Sequence, residues 1–172
     1  MQTGLNKLIK KCAKNDRKAQ KEIYQLFAGN PFPAHLHSLF WFLLLSVVVA
    51  KLMQRTISAE KSLLILFMAI FLWDGQHVAT MGWVANRNAL IACFFAMSSL
   101  YLHILWREEQ KVHYFLLAMA ALVFALLSAE VAVSIGVFLF FYSILLDPRG
   151  AKQGFISLLP YLLIVVVWFC VL

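Results

Sequence analysis

The chain has 172 residues, of which 63% are hydrophobic, 15% aromatic and only 13% charged, with a formal net charge of +7. A soluble domain carries about 25% charged residues, so this chain has too little polar surface to cover a globule. The cysteines Cys12, Cys93 and Cys170 are odd in number, widely spaced and without a CxxC, which argues against a disulfide framework or a zinc site.

Charge is concentrated at the start. Residues 1–34 carry Lys7, Lys10, Lys11, Lys14, Arg17, Lys18 and Lys21 against Asp16 and Glu22, so this head supplies +5 and the remainder +2. Within it, Leu5, Leu8, Ile9, Cys12, Ala13, Ile23 and Phe27 follow an i, i+3, i+4 pattern with lysines on the other face, which predicts an amphipathic helix over 5–27. Gly29-Asn30-Pro31-Phe32-Pro33 ends it. The head is too long for the n-region of a signal peptide, and no small-x-small cleavage site follows. Its lysines suit anionic lipid or nucleic acid. No aromatic interleaving or groove-reading set accompanies them, so specific DNA recognition is not expected.

From 35 onward the chain reads as a transmembrane domain: an all-α, polytopic helical membrane protein with five or six spans. Apolar segments cover 36–53, 62–73, 89–106, 114–146 and 155–172. The fourth is too long for one crossing and is divided at Ser128-Ala129-Glu130. The last runs to Val171-Leu172 without a polar cap, as expected of an incomplete protein. Lys51, Arg55, Lys61, Arg107, Lys111, Arg149 and Lys152 fall in the links 51–61, 107–113 and 147–154, whereas 74–88 and 128–130 hold only Arg87. Positive residues favour the cytoplasm, so 74–88 and Glu130 are expected outside together. If 36–53 crosses, the basic head is also external, against the same tendency. Either that segment does not cross or head and body have separate origins.

The 74–88 link, DGQHVATMGWVANRN, is rich in chemistry. Arg87, flanked by Asn86 and Asn88, could grip a phosphate bidentately or snorkel to lipid headgroups. Asp74 and His77, at i and i+3, could form an acid–base pair or two ligands of a divalent metal ion, or could cap the preceding helix. Glu130 could line an external vestibule or mark a hairpin turn. Trp73 and Trp83 read first as interface anchors, and His35 and His37 as interfacial polar groups.

QHVATMGWVANRNALIACFFAMSSLYLH, at 76–103, resembles the signature of GT-C-type membrane glycosyltransferases that carry tetratricopeptide repeats, the protein O-mannosyltransferase-like group, through His77, Val78, Trp83, Val84, Ala85, Arg87 and Leu90. LLSAEVAVSIGVFLFFYSIL is similar to their next landmark through Ser128, Glu130, Ala132 and Tyr142, and LLPYLLIVVVW fits the segment after it. The resemblance covers about 35–172. Asp74-Gly75 stands where the family has His-Pro, Ala79 and Ala89 where it has acidic residues, and Ala129 where it has Lys. The head, LIKKCAKNDRKAQKEIYQLFA at 8–28, resembles the opening helices of an extracytoplasmic-function sigma factor.

The resemblance implies a bacterial cytoplasmic-membrane protein that passes sugar from a polyprenyl-phosphate donor to a protein acceptor. Arg87, Asn86 and Asn88 would hold the phosphate, and Asp74, His77 and Glu130 would provide catalysis. Family members also place an acidic residue in a first external loop, which residues 1–34 do not resemble, so the chain is expected to lack part of the site. Two other readings stay open: a non-catalytic membrane scaffold or subunit, and a membrane-tethered regulator built on the sigma-like head.

Overall fold

The computed structural model describes residues 32–56, 61–73 and 87–171. The head helix expected over 5–27 and the stretch 74–86, with Asp74, His77 and Asn86, lie outside the described residues. Cα proximity divides the chain into Met1–Leu36 and His37–Leu172, and the packing below is that of the second unit.

The described residues are helical apart from short links, with no strand among them. Helix α1 is Phe32–Thr56, α2 is Lys61–Trp73, α3 is Arg87–Glu109 and α4 is Val112–Ser128. A 3-10 turn, Glu130–Ser134, leads into α5, Ile135–Leu145, followed by α6, Ala151–Ser157, and α7, Leu159–Val171. These runs are apolar on nearly every face, and in hydrocarbon a helix satisfies its backbone groups without water. Three segments are long and apolar enough to cross a membrane: His35–Thr56, Arg87–Glu109 and Ala151–Val171, of 22, 23 and 21 residues. This fits an integral membrane protein. Lys61–Trp73, Val112–Ser128 and Glu130–Leu145 are apolar but shorter.

Local chemistry sets the breaks. Helix α3 stops at Gln110, which takes a left-handed φ of 60°. Its side-chain amide offsets that strain by donating to the carbonyls of Trp106 at 3.1 Å and Arg107 at 2.8 Å, groups the helix end leaves open. The apolar stretch 112–145 is interrupted at Ala129, whose extended backbone separates α4 from the 3-10 turn that begins with Glu130. Gly150, at φ 86°, turns the chain into α6.

Helices α3 and α4 form the central antiparallel hairpin. Ala92, Ala96 and Ser99 on α3 and Ala118, Ala121 and Ala125 on α4 are all buried and fall at helical spacing on their respective helices. Small residues let two backbones approach closely, the usual route to helix association in lipid. Ser99 Oγ donates across the seam to the Ala118 carbonyl at 2.8 Å. Leu139 and Tyr142 of α5 and Tyr161 of α7 complete this core. Helix α1 runs parallel to α3, with the Trp41 and Phe94 rings 5.3 Å apart edge to face near one end and Arg55 reaching Glu108 at the other. Helix α2 returns beside α1, where Phe71 stacks on Phe42 at 6.2 Å.

Candidate functional site

The helix directions sort the charged residues into two ends. The start of α1, the start of α3 and the end of α4 share one end, which therefore carries His37, Arg87 and Glu130. The other end carries Arg55, Arg107, Glu108, Glu109 and Lys111, and Asp147 joins it through its pairing with Arg107.

At the first end, Arg87 opens α3 and is partly buried. Its Nη1 lies 3.4 Å from His37 Nδ1 on α1. Trp41, one turn along α1, donates its indole N–H to His37 Nε2 at 3.1 Å. An imidazole nitrogen that accepts has no proton, so the neutral ring carries its proton on Nδ1, where it faces Arg87. Two donors then converge with no acceptor between them among the described residues, an arrangement that an anionic oxygen would satisfy. Sequence reading treated His37 as an interfacial residue and did not link it to Arg87. The link depends on helix pairing across 50 positions, which local spacing does not encode. Asn88 is exposed in the first turn of α3. Glu130 is also exposed, at the same end as Arg87, and no ion pair joins the two. Asp74, His77 and Asn86 lie outside the described residues.

The second end holds a polar layer that sequence reading passed over. The buried stripe of α3 that begins with Ala92, Ala96 and Ser99 continues through His103 to Arg107. Arg107 and Asp147 pair bidentately, with Nε to Oδ2 at 2.6 Å and Nη2 to Oδ1 at 3.0 Å. Their side chains are 6% and 0% exposed. The backbone N–H of Arg149 also donates to Asp147, at 2.8 Å. Burial pushes the Asp147 carboxyl upward, but the bonds from Arg107 and Arg149 and the guanidinium charge outweigh it, so its pKa lies below the usual carboxylate value. One turn deeper, His103 Nδ1 lies 3.0 Å from the Tyr161 hydroxyl, while its Nε2 is buried without a partner among the described residues. The signal available in sequence was His103 and Arg107 at i, i+4 near the end of an apolar segment, where ionisable residues are costly enough to need a reason. Outside this layer Arg55 bridges Glu108 and Glu109, at 2.6 and 3.6 Å. Lys111 bonds Glu109 at 2.8 Å, and this contact raises the Lys111 pKa.

Among the described residues, no three His, Cys, Asp or Glu side chains converge on a point that could hold a metal ion. Chemically, the first end offers cationic and N–H donors toward an anion, and the second offers a satisfied ion pair beside a buried imidazole. Comparison with protein-family models, with curated proteins and with solved structures finds no match to this chain.

Proposed function

We propose that the Arg87 end binds the phosphate of a polyprenyl-phosphate-linked sugar, as the resemblance to GT-C-type glycosyltransferases implies. In this reading the chain crosses a bacterial cytoplasmic membrane five or six times, with 74–88 and Glu130 outside. Arg87, Asn86 and Asn88 hold the phosphate. Asp74, His77 and Glu130 line the acceptor side, where a carboxylate or imidazole takes the proton from an acceptor hydroxyl. Arg87 then stabilises charge on the departing phosphate. The acceptor class is a hydroxyl-bearing protein side chain.

The observation that supports this reading is the Arg87–His37 pair, in which two donors face one another with no acceptor between them among the described residues. The test is photo-crosslinking of polyprenyl-phosphate mannose to the full chain in membranes, followed by the same experiment on Arg87→Gln. Removing one charge-assisted contact costs about 1.5–3 kcal/mol, so Arg87→Gln should weaken labelling by about 10- to 100-fold. Equal labelling of both proteins would rule out the phosphate role.

A second reading, a non-catalytic membrane subunit, is favoured by the Arg107–Asp147 pair, which uses two buried charges in packing. Under it, polyprenyl-phosphate mannose would not label the chain at all. A regulator built on the sigma-like head is the third reading, and it rests on residues 8–28 alone.

A further inference from the structure

Between α4, α5 and α7 lies a lateral cleft of about 390 Å³, within the range of roughly 300–1,000 Å³ seen for small-molecule sites. Leu122, Leu139, Phe155, Leu159, Leu162 and Val165 line it. Tyr161 supplies the one hydroxyl, and that group is already held by His103. Such walls suit a hydrocarbon chain and little else. Gly136 also lines the cleft, and nothing lies within 4 Å of the place where a Cβ would stand on it.

What sits at the end of this cleft identifies the occupant. Phe155, Leu158, Leu159, Leu162 and Val165 repeat at helical spacing along α6 and α7, and Lys152 lies three residues before Phe155, continuing the same row. Lys152 and Arg149 are exposed, and neither side chain makes an ion pair among the described residues, unlike Arg55, Arg107 and Lys111; Lys51 and Lys61, away from the cleft lining, are also without one there. A hydrocarbon slot that ends one helical turn from the unpaired Lys152, with Arg149 just before the Gly150 turn, matches an amphiphile with an anionic head.

We propose that the cleft takes an acyl chain of an anionic phospholipid, whose headgroup phosphate is held by Lys152 with Arg149 beside it. The lipid belongs to the leaflet that faces the basic links. It is distinct from the phosphate site at Arg87, which lies at the opposite end, and it stands whether or not the chain transfers sugar. In the bound state the lipid joins α5 to the α6–α7 arm and fills the space that Gly136 leaves.

The experiment is native mass spectrometry of the full chain in a nonionic detergent, with added phosphatidylglycerol or phosphatidylcholine. The expected result is one retained phosphatidylglycerol, bound more tightly than phosphatidylcholine. Lys152→Gln should cut that preference by about fivefold, the effect of one cation at an anionic surface. Gly136→Phe should abolish retention of both lipids, and a thermal scan of the same sample would show that the fold survives. Because Lys152 is exposed, its variant reports on headgroup binding even if Gly136→Phe fails to fold. Equal retention of the two lipids by the wild-type chain would overturn the proposal, as would unchanged selectivity in Lys152→Gln. A lipid-free dimer that Gly136→Phe converts to monomer would also overturn it and assign the cleft to a second copy of the chain.

Discussion

Asp147 is the residue on which the basic end depends. Its carboxylate is fully buried, accepts two bonds from Arg107 and one from Arg149, and has its pKa held below the usual value. A carboxyl whose folded pKa is depressed contributes stability that is fully present above the unfolded value of about 4 and is lost as pH falls through the folded value. Thermal unfolding in detergent should therefore show a plateau from neutral pH to about 5 and a decline below about 4. Asp147→Asn should flatten that decline and cost about 3–5 kcal/mol at neutral pH, because it strands the Arg107 charge. The paired change Arg107→Met with Asp147→Leu should cost much less, since it strands nothing. At this scale the sequence showed which residues were out of place but not their partners. Arg87 and Glu130 stood out as charges beside apolar runs. His103 and Arg107 carried the same signal, but their partners Tyr161 and Asp147 lie 58 and 40 positions away, beyond any local pattern.

The helices themselves were legible, because apolar runs of this length have few alternatives in a bilayer. The segments read at 36–53, 62–73 and 89–106 correspond to α1, α2 and α3, and the interruption at Ser128-Ala129-Glu130 separates α4 from the turn before α5. What the pattern could not give was which faces meet. The α3–α4 seam is set by alanines and Ser99, and an apolar run by itself does not say which of its small residues face a partner helix. The contact between α5 and α6 depends on a single glycine. A Cβ on Gly154 would overlap the Ser143 carbonyl and stand 3.1 Å from Asp147 Oδ2. Backbone cannot yield as a flexible side chain does, so Gly154→Ala should push α6 off α5. The expected cost is about 1–3 kcal/mol, read as a lower unfolding temperature and faster proteolysis between 145 and 160. An unchanged unfolding temperature would mean that α6 does not close on α5 as described. The matched control is Gly136→Ala, which meets open space and should be neutral.

Across the whole molecule, helix direction and charge tell the same story. The hairpin of α3 and α4, with α1 parallel to α3, gathers Arg55, Arg107, Lys111 and Asp147 at one end and leaves His37, Arg87 and Glu130 at the other. The phosphate reading needs the Arg87 end to face away from the cytoplasm, and the lipid reading needs the Lys152 end to face an anionic leaflet. Both rest on one orientation, which the positive-inside tendency of the links after residue 50 supplies, whereas the basic head joins α1 at the opposite end, against that tendency. Reporter fusions placed after residues 80, 130 and 150 test it directly, using a pair of enzymes active on opposite sides of the membrane. The expected result is external activity at 80 and 130 and cytoplasmic activity at 150. Cytoplasmic activity at 80, on the same side as 150, would contradict the arrangement and remove the basis for an external phosphate site at Arg87.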